Sequence, residues 1–583
     1  MKSNDKLATD LVNMKLLLDK TVLNASYKIL SVEISCCFNK ITSARVMIAD
    51  GDPAKQDFAI SSKEDGLLPG SDFEIQLGYH EKPKTVFKGI IIKQSIKSGK
   101  NKKSFILLEA RDRCVQLTLA RKSRCFFEKT DSELIEDIMK DRNFKRADYD
   151  IAATKTKHAE MVQYNVSDWD FIVCRAEMNS MVVLTQDNRL IIREPNTKEQ
   201  PVKEITYGKE VIEFESETDG RTQFEEVSAR SWDFKEQGKK EKETASVNYK
   251  ENGVPDGKVL AEKMGLKKYE LHHTAFLNEE QLQSWSAARL LKSRMAKNTG
   301  FVRVKGTTDI SPGNMITLKG FGKRFNGNVM VSGVRHHFGE KETWETEIRF
   351  GMDAEWFYEK NMLREQPAAG LVPGIQGLHI GIVVQIDNDP DGEDRVKIQL
   401  PLVRGSENLW ARVSSLDAGK DRGAFFRPEV NDEVVVGFLD DDPRYPIILG
   451  TLHSGAKPAP FKATDSNHEK GFVTRSKLQF IFNDEKKSIV LQTPKGKKLV
   501  IDDDGDEISL TDQHGNKIKM NASGIVLESV KDISFKTASG SCKMEAMDIS
   551  LEASTKLKAN GKASADFTSS GPTILKGALV NIN

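Results

Sequence analysis

The sequence lacks any run of about 18 apolar residues, so no helix in it is predicted to span a membrane. Its first stretch, MKSNDKLATDLVNMKLLLDK, mixes charge into every short apolar run and is not predicted to be a signal peptide. Cysteine is scarce, with 6 in 583 residues and no C-x-x-C pair, so we expect isolated buried thiols. An excess of one charge is also missing. The 87 Lys and Arg against 86 Asp and Glu leave a net charge of +1, which favours neither nucleic acid nor an anionic membrane as a partner.

Residues 1–365 combine strand patterns with a few helix signals. Stretches such as 85–96 are rich in β-branched residues and predict half-buried strands. Capping signals predict helices that begin after Thr130 and Ser167, and a third helix is predicted over about 279–297. We therefore expect an N-terminal domain of two β-barrel-like halves with helices.

A linker and a small barrel are predicted to follow. Residues 366–377, QPAAGLVPGIQG, are rich in Pro, Gly and Ala and are typical of a linker. Residues 378–455 hold five short strand patterns separated by Asp, Gly and Pro turns, which predicts an OB-fold. This segment has eight Lys and Arg against 14 Asp and Glu, a net of −6, so it is not expected to bind nucleic acid. A short connector is expected over 456–470.

Residues 471–583 form an array of very short strands with a repeat near eight residues. Each repeat has only two or three inward apolar side chains, too few to offset the entropy of ordering it alone. A tube made of several copies supplies the missing layer and pairs the strand edges, and three copies close it with the fewest inward atoms. We expect an intertwined trimeric β-helix; a self-sufficient single-chain β-helix is the alternative. The predicted trimer core comprises Ile518, Met520, Ile525, Leu527, Ile533, Phe535, Met544, Ile549, Leu551 and Leu557.

The order of these parts resembles the VgrG-type spike proteins of contractile injection systems, and equally the fused hub and spike of phage tails. The stretch AGKDRGAFFRPEVNDEVVVGFLDDDPRYPIILG at 418–450 is the most specific match. Further matching stretches are residues 164–183, 284–320, 389–401, 410–413, 515–529 and 571–583. The chain departs from the family pattern at Ser180, where the family usually has Gly after the helix.

The resemblance implies a mainly β fold: a β-barrel-rich hub with a few helices, an OB-fold collar and a trimeric β-helix needle. It implies a homotrimer whose hub docks on a hexameric inner tube and contacts baseplate proteins. The needle would carry a conical PAAR-repeat tip and effector cargo, and would touch the target membrane only while puncturing it. Such a protein is expected to assemble in the bacterial cytoplasm and to be exported by the injection machine. The resemblance leaves open a type VI secretion system, an extracellular injection particle or a phage.

No catalytic, cofactor or metal site is expected. The paired histidines at 272–273 and 336–337 lack ligands at metal spacing, and the acidic stretches 389–394 and 502–507 are expected to be hairpin turns. The chain has no muralytic insert between barrel and needle, and no effector domain is expected after Asn583. A carbohydrate-active or muralytic phage-tail spike enzyme is the alternative, which requires paired carboxylates in a cleft.

The last residues are too apolar for an unprotected end and are predicted to dock a tip protein. The predicted docking residues are Ile574, Leu575, Gly577, Leu579, Val580, Ile582 and Asn583.

Overall fold

The computed structural model describes residues 11–62, 67–80, 82–99, 102–339, 343–361, 363 and 367–582. The chain divides into two compact units, residues 1–373 and residues 374–583. Both are dominated by β-strands, so the mainly β fold class is confirmed. None of the helices in the described ranges is long and apolar enough to cross a membrane.

The first unit contains twenty-one strands and five α-helices among its described residues. The strands are β1 (Val12–Leu18), β2 (Thr21–Val22), β3 (Ile29–Cys37), β4 (Ser43–Ala49), β5 (Asp72–Tyr79), β6 (Lys84–Gly99), β7 (Lys102–Arg111), β8 (Arg121–Thr130), β9 (Tyr149–Ile151), β10 (Lys157–Ser167), β11 (Val182–Gln186), β12 (Arg189–Arg193), β13 (Lys203–Thr206), β14 (Val211–Thr218), β15 (Glu226–Asp233), β16 (Gly238–Thr244), β17 (Lys268–His273), β18 (Asn298–Lys305), β19 (Met315–Lys319), β20 (Gly327–Phe338) and β21 (Trp344–Phe350). The helices are α1 (Asp131–Asp141), α2 (Asp168–Met178), α3 (Gly257–Met264), α4 (Glu279–Met295) and α5 (Phe357–Asn361).

One sheet of 13 strands joins the two halves of this unit. Its order is β14-β18-β21-β20-β3-β4-β7-β6-β5-β1-β2, and β19 attaches β13 to β20. The antiparallel pair of β3 and β20 forms the junction, with Cys36 opposite Val334. One core lies in the N-terminal half around Val46 and Phe87, and a second lies in the other half around Ile348. The 13-stranded sheet thus carries two of the five apolar cores found among the described residues of this unit, one in each half.

The predicted helices at α1, α2 and α4 are confirmed, and two others were missed. Thr130 and Glu133 form a reciprocal capping box at α1, and the Ser167 hydroxyl accepts the N–H of Asp170 at α2. The missed helices, α3 and α5, have eight and five residues, too short for a clear apolar period.

Buried ion pairs hold α1 and α2 to the ribbon of β8 and β10. The fully buried Asp168 carboxylate lies 2.7 Å from both Arg124 and Arg142 and 3.3 Å from Lys122. These cations keep the pKa of Asp168 below its ordinary value against the opposing effect of burial. The carboxylate is therefore a structural anchor.

The second unit begins with a closed five-stranded barrel of the OB type. Its strands are β22 (His379–Gln385), β23 (Val396–Gln399), β24 (Leu409–Val413), β27 (Glu433–Phe438) and β28 (Pro446–Thr451), and a small hairpin of β25 (Ala418–Gly419) and β26 (Arg422–Gly423) interrupts them. The closure order is β22-β23-β24-β28-β27, and only β24 and β28 pair in parallel. Val383, Ile398, Ala411 and Val434 fill its interior. The predicted OB-fold is confirmed.

Seven strands of five residues follow as an antiparallel meander. They are β29 (Glu469–Val473), β30 (Gln479–Asn483), β31 (Ser488–Gln492), β32 (Lys498–Asp502), β33 (Glu507–Thr511), β34 (Lys517–Asn521) and β35 (Gly524–Glu528). Each strand pairs with its neighbour in sequence, so the chain folds back on itself at every turn. Residues 529–582 form no further strand within the chain.

One expectation about individual side chains is wrong. All six cysteines are free, but only Cys114 is fully buried, while Cys125 and Cys542 are exposed. Phe425 and Phe426 lie in the loop before β27, and both are exposed in the single chain. Aliphatic residues fill the interior of the barrel.

Candidate assembly surface

One face of the meander carries two columns of apolar side chains, which we call the needle face. Antiparallel pairing places the second and fourth residues of every strand on this face, and all of them except Lys470 are apolar. The needle face comprises Phe472, Phe480, Phe482, Ile489, Leu491, Leu499, Ile501, Ile508, Leu510, Ile518, Met520, Ile525 and Leu527.

Cross-strand pairing makes each column continuous. Ile508 lies opposite Met520, and Leu510 lies opposite Ile518, which in turn faces Leu527. The other face of the same strands is polar toward its C-terminal end, where Lys519 forms an ion pair with Glu507. The sheet therefore has one apolar face and one mixed face, on which Ile481, Val490 and Val500 lie among polar residues.

In the described part of the chain, most of the needle face stays accessible. Leu510 remains 49% exposed and Ile518 37% exposed, although both lie in the middle of a hydrogen-bonded sheet. A single-layer sheet cannot bury its apolar face by itself. A contiguous exposed face of thirteen apolar side chains marks an interaction surface.

Only part of the predicted trimer core lies on the needle face. Ile518, Met520, Ile525 and Leu527 are members of its two columns. The remaining predicted core residues are exposed and lie beyond the last strand: Ile533, Phe535, Met544, Ile549, Leu551 and Leu557. The single chain does not bring this second group together, so their role stays a prediction.

Sequence reasoning left much of the needle face out of the predicted core. Phe480, Leu491 and Leu499 lie before residue 518, where the regular spacing of about eight residues begins. The signal for them was present, because every strand from β30 onward has apolar residues at its second and fourth positions. The strands from β29 to β34 start nine or ten residues apart, so their spacing is longer than the predicted repeat near eight residues.

Aromatic side chains link the barrel to the needle face. The ring of Phe426 stacks on Phe472 with a centroid distance of 5.3 Å, and Phe472 lies 6.5 Å from Phe480. The Arg475 guanidinium and the Glu429 carboxylate form an ion pair of 3.0 Å beside them. The exposed Phe426 therefore continues the apolar column toward the barrel.

The predicted tip residues are exposed at the end of the described chain. Ile574, Leu575, Leu579, Val580 and Ile582 all have accessible side chains. Gly577 lies among them, and Asn583 is outside the described residues. The described part of the chain does not bring these side chains together into a docking surface, so tip docking also stays a prediction.

Cys36 of β3 and His336 of β20 lie on adjacent strands, two positions apart in register, as a catalytic pair could. Burial raises the pKa of the Cys36 thiol to about 12 and lowers the pKa of His336 to about 4. A thiolate nucleophile and its imidazole partner need shifts in the opposite directions. Both groups are held neutral and act as packing residues.

The acidic loop at 389–394 is occupied by the chain's own cation. Asp389 accepts hydrogen bonds from Arg395, whose Nη2 lies 2.6 Å from Oδ1, and this contact lowers the pKa of Asp389. The stretch 502–507 is the turn between β32 and β33. In the described part of the chain, no group of three or more His, Cys, Asp or Glu is arranged to hold a metal ion.

Family models match most of the chain. A model described as the Alg8 N-terminal domain matches residues 8–340. The model of the type VI secretion system and phage-baseplate injector OB domain matches residues 379–453, and that of the phage baseplate V C-terminal trimerisation domain matches residues 488–583. The chain belongs to the VgrG-type spike family of contractile injection systems, with an N-terminal domain of the Alg8 family.

The chain is similar in sequence to type VI secretion system spike proteins. The type VI secretion system spike protein VgrG1b of Pseudomonas aeruginosa is 22% identical over 449 residues, which cover 71% of this chain and 57% of that protein. Spike protein VgrG3 of Vibrio cholerae is 31% identical over 172 residues, which cover 26% of this chain and 16% of that protein. An Escherichia coli component of the type VI secretion system matches in structure with a TM-score of 0.39 and 13% identity, over 75% of this chain and 100% of that chain. The matched regions span less than two thirds of the length of VgrG1b and of VgrG3.

Proposed function

We propose that this VgrG-type protein is a structural spike in which three copies meet through their needle faces. The observation that carries this proposal is the single-layer meander with its two uncovered apolar columns. Three such sheets, each turning its apolar side toward a common axis, would form a closed triangular prism with a dry interior. The match of residues 488–583 to a trimerisation domain supports this number of copies.

The proximal and distal parts of the needle would assemble in different ways. Residues 469–528 form a hydrogen-bonded meander within one chain, so each copy would supply one complete side of the prism. Residues 529–582 have no strand partner in their own chain, so their backbone groups would pair with the other two copies. The distal needle would therefore be intertwined, with Leu551 and Leu557 in its interior.

The remaining partners follow from the spike function. The hub would cap a hexameric inner tube and contact baseplate proteins, and the needle would carry a PAAR-type tip protein and effector cargo. Two cores on one continuous sheet give three copies six related surfaces, which supports a match between threefold and sixfold symmetry. The spike would be assembled in the bacterial cytoplasm and exported by the injection machine, and it would reach the target envelope on firing.

The proposed action is mechanical. Stacked strand layers cross-linked by hydrogen bonds would resist bending, and a narrow tip would concentrate force on the envelope. The neutral pair of Cys36 and His336 and the internally paired Asp389 loop favour this reading over an enzyme. Incubation of the purified chain with peptidoglycan tests the muralytic alternative, and release of soluble fragments would support that alternative.

Trimerisation through the distal needle is tested by a pair of adjacent substitutions. Leu551→Lys would place three like charges near one axis in a dry interior, where each unpaired charge costs several kcal/mol. We expect this variant to lose the trimer or to fray its needle in analytical ultracentrifugation. Glu552→Lys, on the outer face, should sediment like the parent chain. Equal behaviour of both variants would mean that the inward positions are assigned wrongly.

Tip docking is tested by truncation. Deleting residues 577–583 should leave the trimer intact, because most of the inward row remains, but should abolish capture of a PAAR-repeat protein. Full capture by a truncated trimer would place the docking surface elsewhere.

A further inference from the structure

The hub contains an insertion within one of its hairpins. Strands β14 and β18 pair antiparallel with Thr218 opposite Asn298, and the N–H of Asp219 donates to the carbonyl of Lys297 over 3.0 Å. The chain therefore leaves the large sheet and returns to the same point, with residues 219–297 between. This insertion has its own core around Phe224, Leu271 and Leu290 and its own sheet of order β16-β15-β17.

An exposed aromatic cluster lies at one end of the insertion, where the β15–β16 turn meets the loop before α4. The Ser231 hydroxyl bridges the two segments, because it donates to the carbonyl of Leu277 and accepts its N–H, each over 3.2 Å. Phe234 is 72% exposed and packs edge-on against Phe276 at 6.4 Å between centroids. We define the aromatic tip as Trp232, Phe234, Lys235, Lys239 and Phe276.

Fixed side chains surround the aromatic tip, so its apolar surface is held in place. Asp233 is buried and its carboxylate accepts the N–H groups of Lys235 and Glu236, which fixes the turn that presents Phe234. Phe276 is itself 44% exposed although it packs on Phe234. Large aromatic side chains that stay exposed in a rigid turn are typical of the anchors of protein interfaces.

The charged side chains of the aromatic tip are two lysines that form no ion pair with a described residue. Arg230, two residues before Trp232 on β15, forms ion pairs with both Glu241 and Glu270. Lys240 forms an ion pair with Glu236. Lys235 and Lys239 form no ion pair with any residue in the described ranges, and Lys239 lies directly opposite Trp232. A partner that binds the aromatic tip therefore contacts apolar rings flanked by the ammonium groups of Lys235 and Lys239.

We propose that the aromatic tip docks a segment of a partner protein in which apolar side chains are flanked by Asp or Glu. Apolar groups of that segment cover Phe234 and Phe276, and its carboxylates pair with Lys235 and Lys239. A membrane surface fits less well, since recognition of anionic lipid uses clusters of about four to eight Lys and Arg and the aromatic tip offers two.

The proposal is tested with a random dodecapeptide display library as the probe. Selection is carried out on the full-length protein and counter-selection on the Phe234→Ser/Phe276→Ser double variant. We expect enriched peptides to combine apolar residues with Asp or Glu, and their affinity in fluorescence anisotropy to fall at least tenfold in the double variant. The Lys235→Gln/Lys239→Gln variant should also bind more weakly and with less dependence on salt. Phe127→Ser, at an exposed phenylalanine of β8, is the control and should bind normally.

Three results would overturn the proposal. Enrichment of basic peptides, or of peptides that bind the double variant equally well, would contradict the assigned chemistry. Binding to phosphatidylglycerol vesicles that the double variant loses would identify a membrane surface as the occupant. A changed oligomeric state of the double variant in sedimentation would identify a second copy of this chain.

Discussion

The needle face makes a strong prediction at Leu510, which lies between Leu499 and Ile518 in one of its two columns. Assembly would bury the 49% of this side chain that is exposed in the single chain. Because full burial of a leucine contributes roughly 1.5–3 kcal/mol, this half contributes about 1 kcal/mol per copy, or about 3 kcal/mol per trimer. Leu510→Ala should therefore weaken the trimer but leave it the dominant species at micromolar concentration.

Leu510→Lys should abolish the trimer. The change removes the same apolar contact and adds an ammonium group that costs several kcal/mol per copy when buried without a partner, so the total exceeds about 10 kcal/mol per trimer. Since each 1.4 kcal/mol is tenfold in an equilibrium constant, assembly weakens by about seven orders of magnitude. Sedimentation velocity measures the loss directly, and near-ultraviolet circular dichroism checks that the hub remains folded.

Ser509→Lys is the matched control, because Ser509 is the preceding residue of β33 and lies on the opposite face. We expect this variant to sediment as the parent trimer. The reasoning would be refuted if Leu510→Lys assembled as well as Ser509→Lys, because the needle face would then not be the buried face of the assembly.

Two further predictions concern the hub. Asp168→Asn should lower the free energy of unfolding of the hub by about 3–5 kcal/mol in chemical denaturation, because Arg124 and Arg142 lose their buried carboxylate. Asp141→Asn removes only an exposed partner of Arg124 and should lower it by less than about 1 kcal/mol. Equal losses in the two variants would contradict the role of Asp168 as a buried anchor. Burial lowers the pKa of His336 to about 4, so the stability it supports is present above its ordinary pKa and is lost as the pH falls from about 6.5 to 4. His336→Gln should remove about 3 kcal/mol of that acid-induced loss, measured as the change in unfolding free energy between about pH 7 and pH 4; an unchanged loss would show that other groups cause it.

The amino-acid sequence determined the local features of this protein. Two apolar positions in a five-residue strand, as in Ile508 and Leu510, fix which face of a sheet is apolar whatever pairs with it. Capping residues such as Thr130 fix where a helix begins. The five short strands of the barrel and their turns could be predicted from the sequence for the same reason, because each depends only on neighbouring residues.

The tertiary structure decided what depends on distant residues. Pairing of β3 with β20 joins the two halves of the hub, and no local pattern specifies a contact between residues about 300 positions apart. The separate fold of residues 219–297 within a hairpin was hidden because its flanking strands look ordinary in sequence. The tertiary structure also decided that Phe234 and Phe426 are exposed. Hydrophobicity predicts burial, but it does not tell which apolar side chains the core cannot accommodate. Aliphatic residues fill the barrel interior, and Phe224 with aliphatic residues fills the core of 219–297, so the rings of Phe426 and Phe234 are left on the surface.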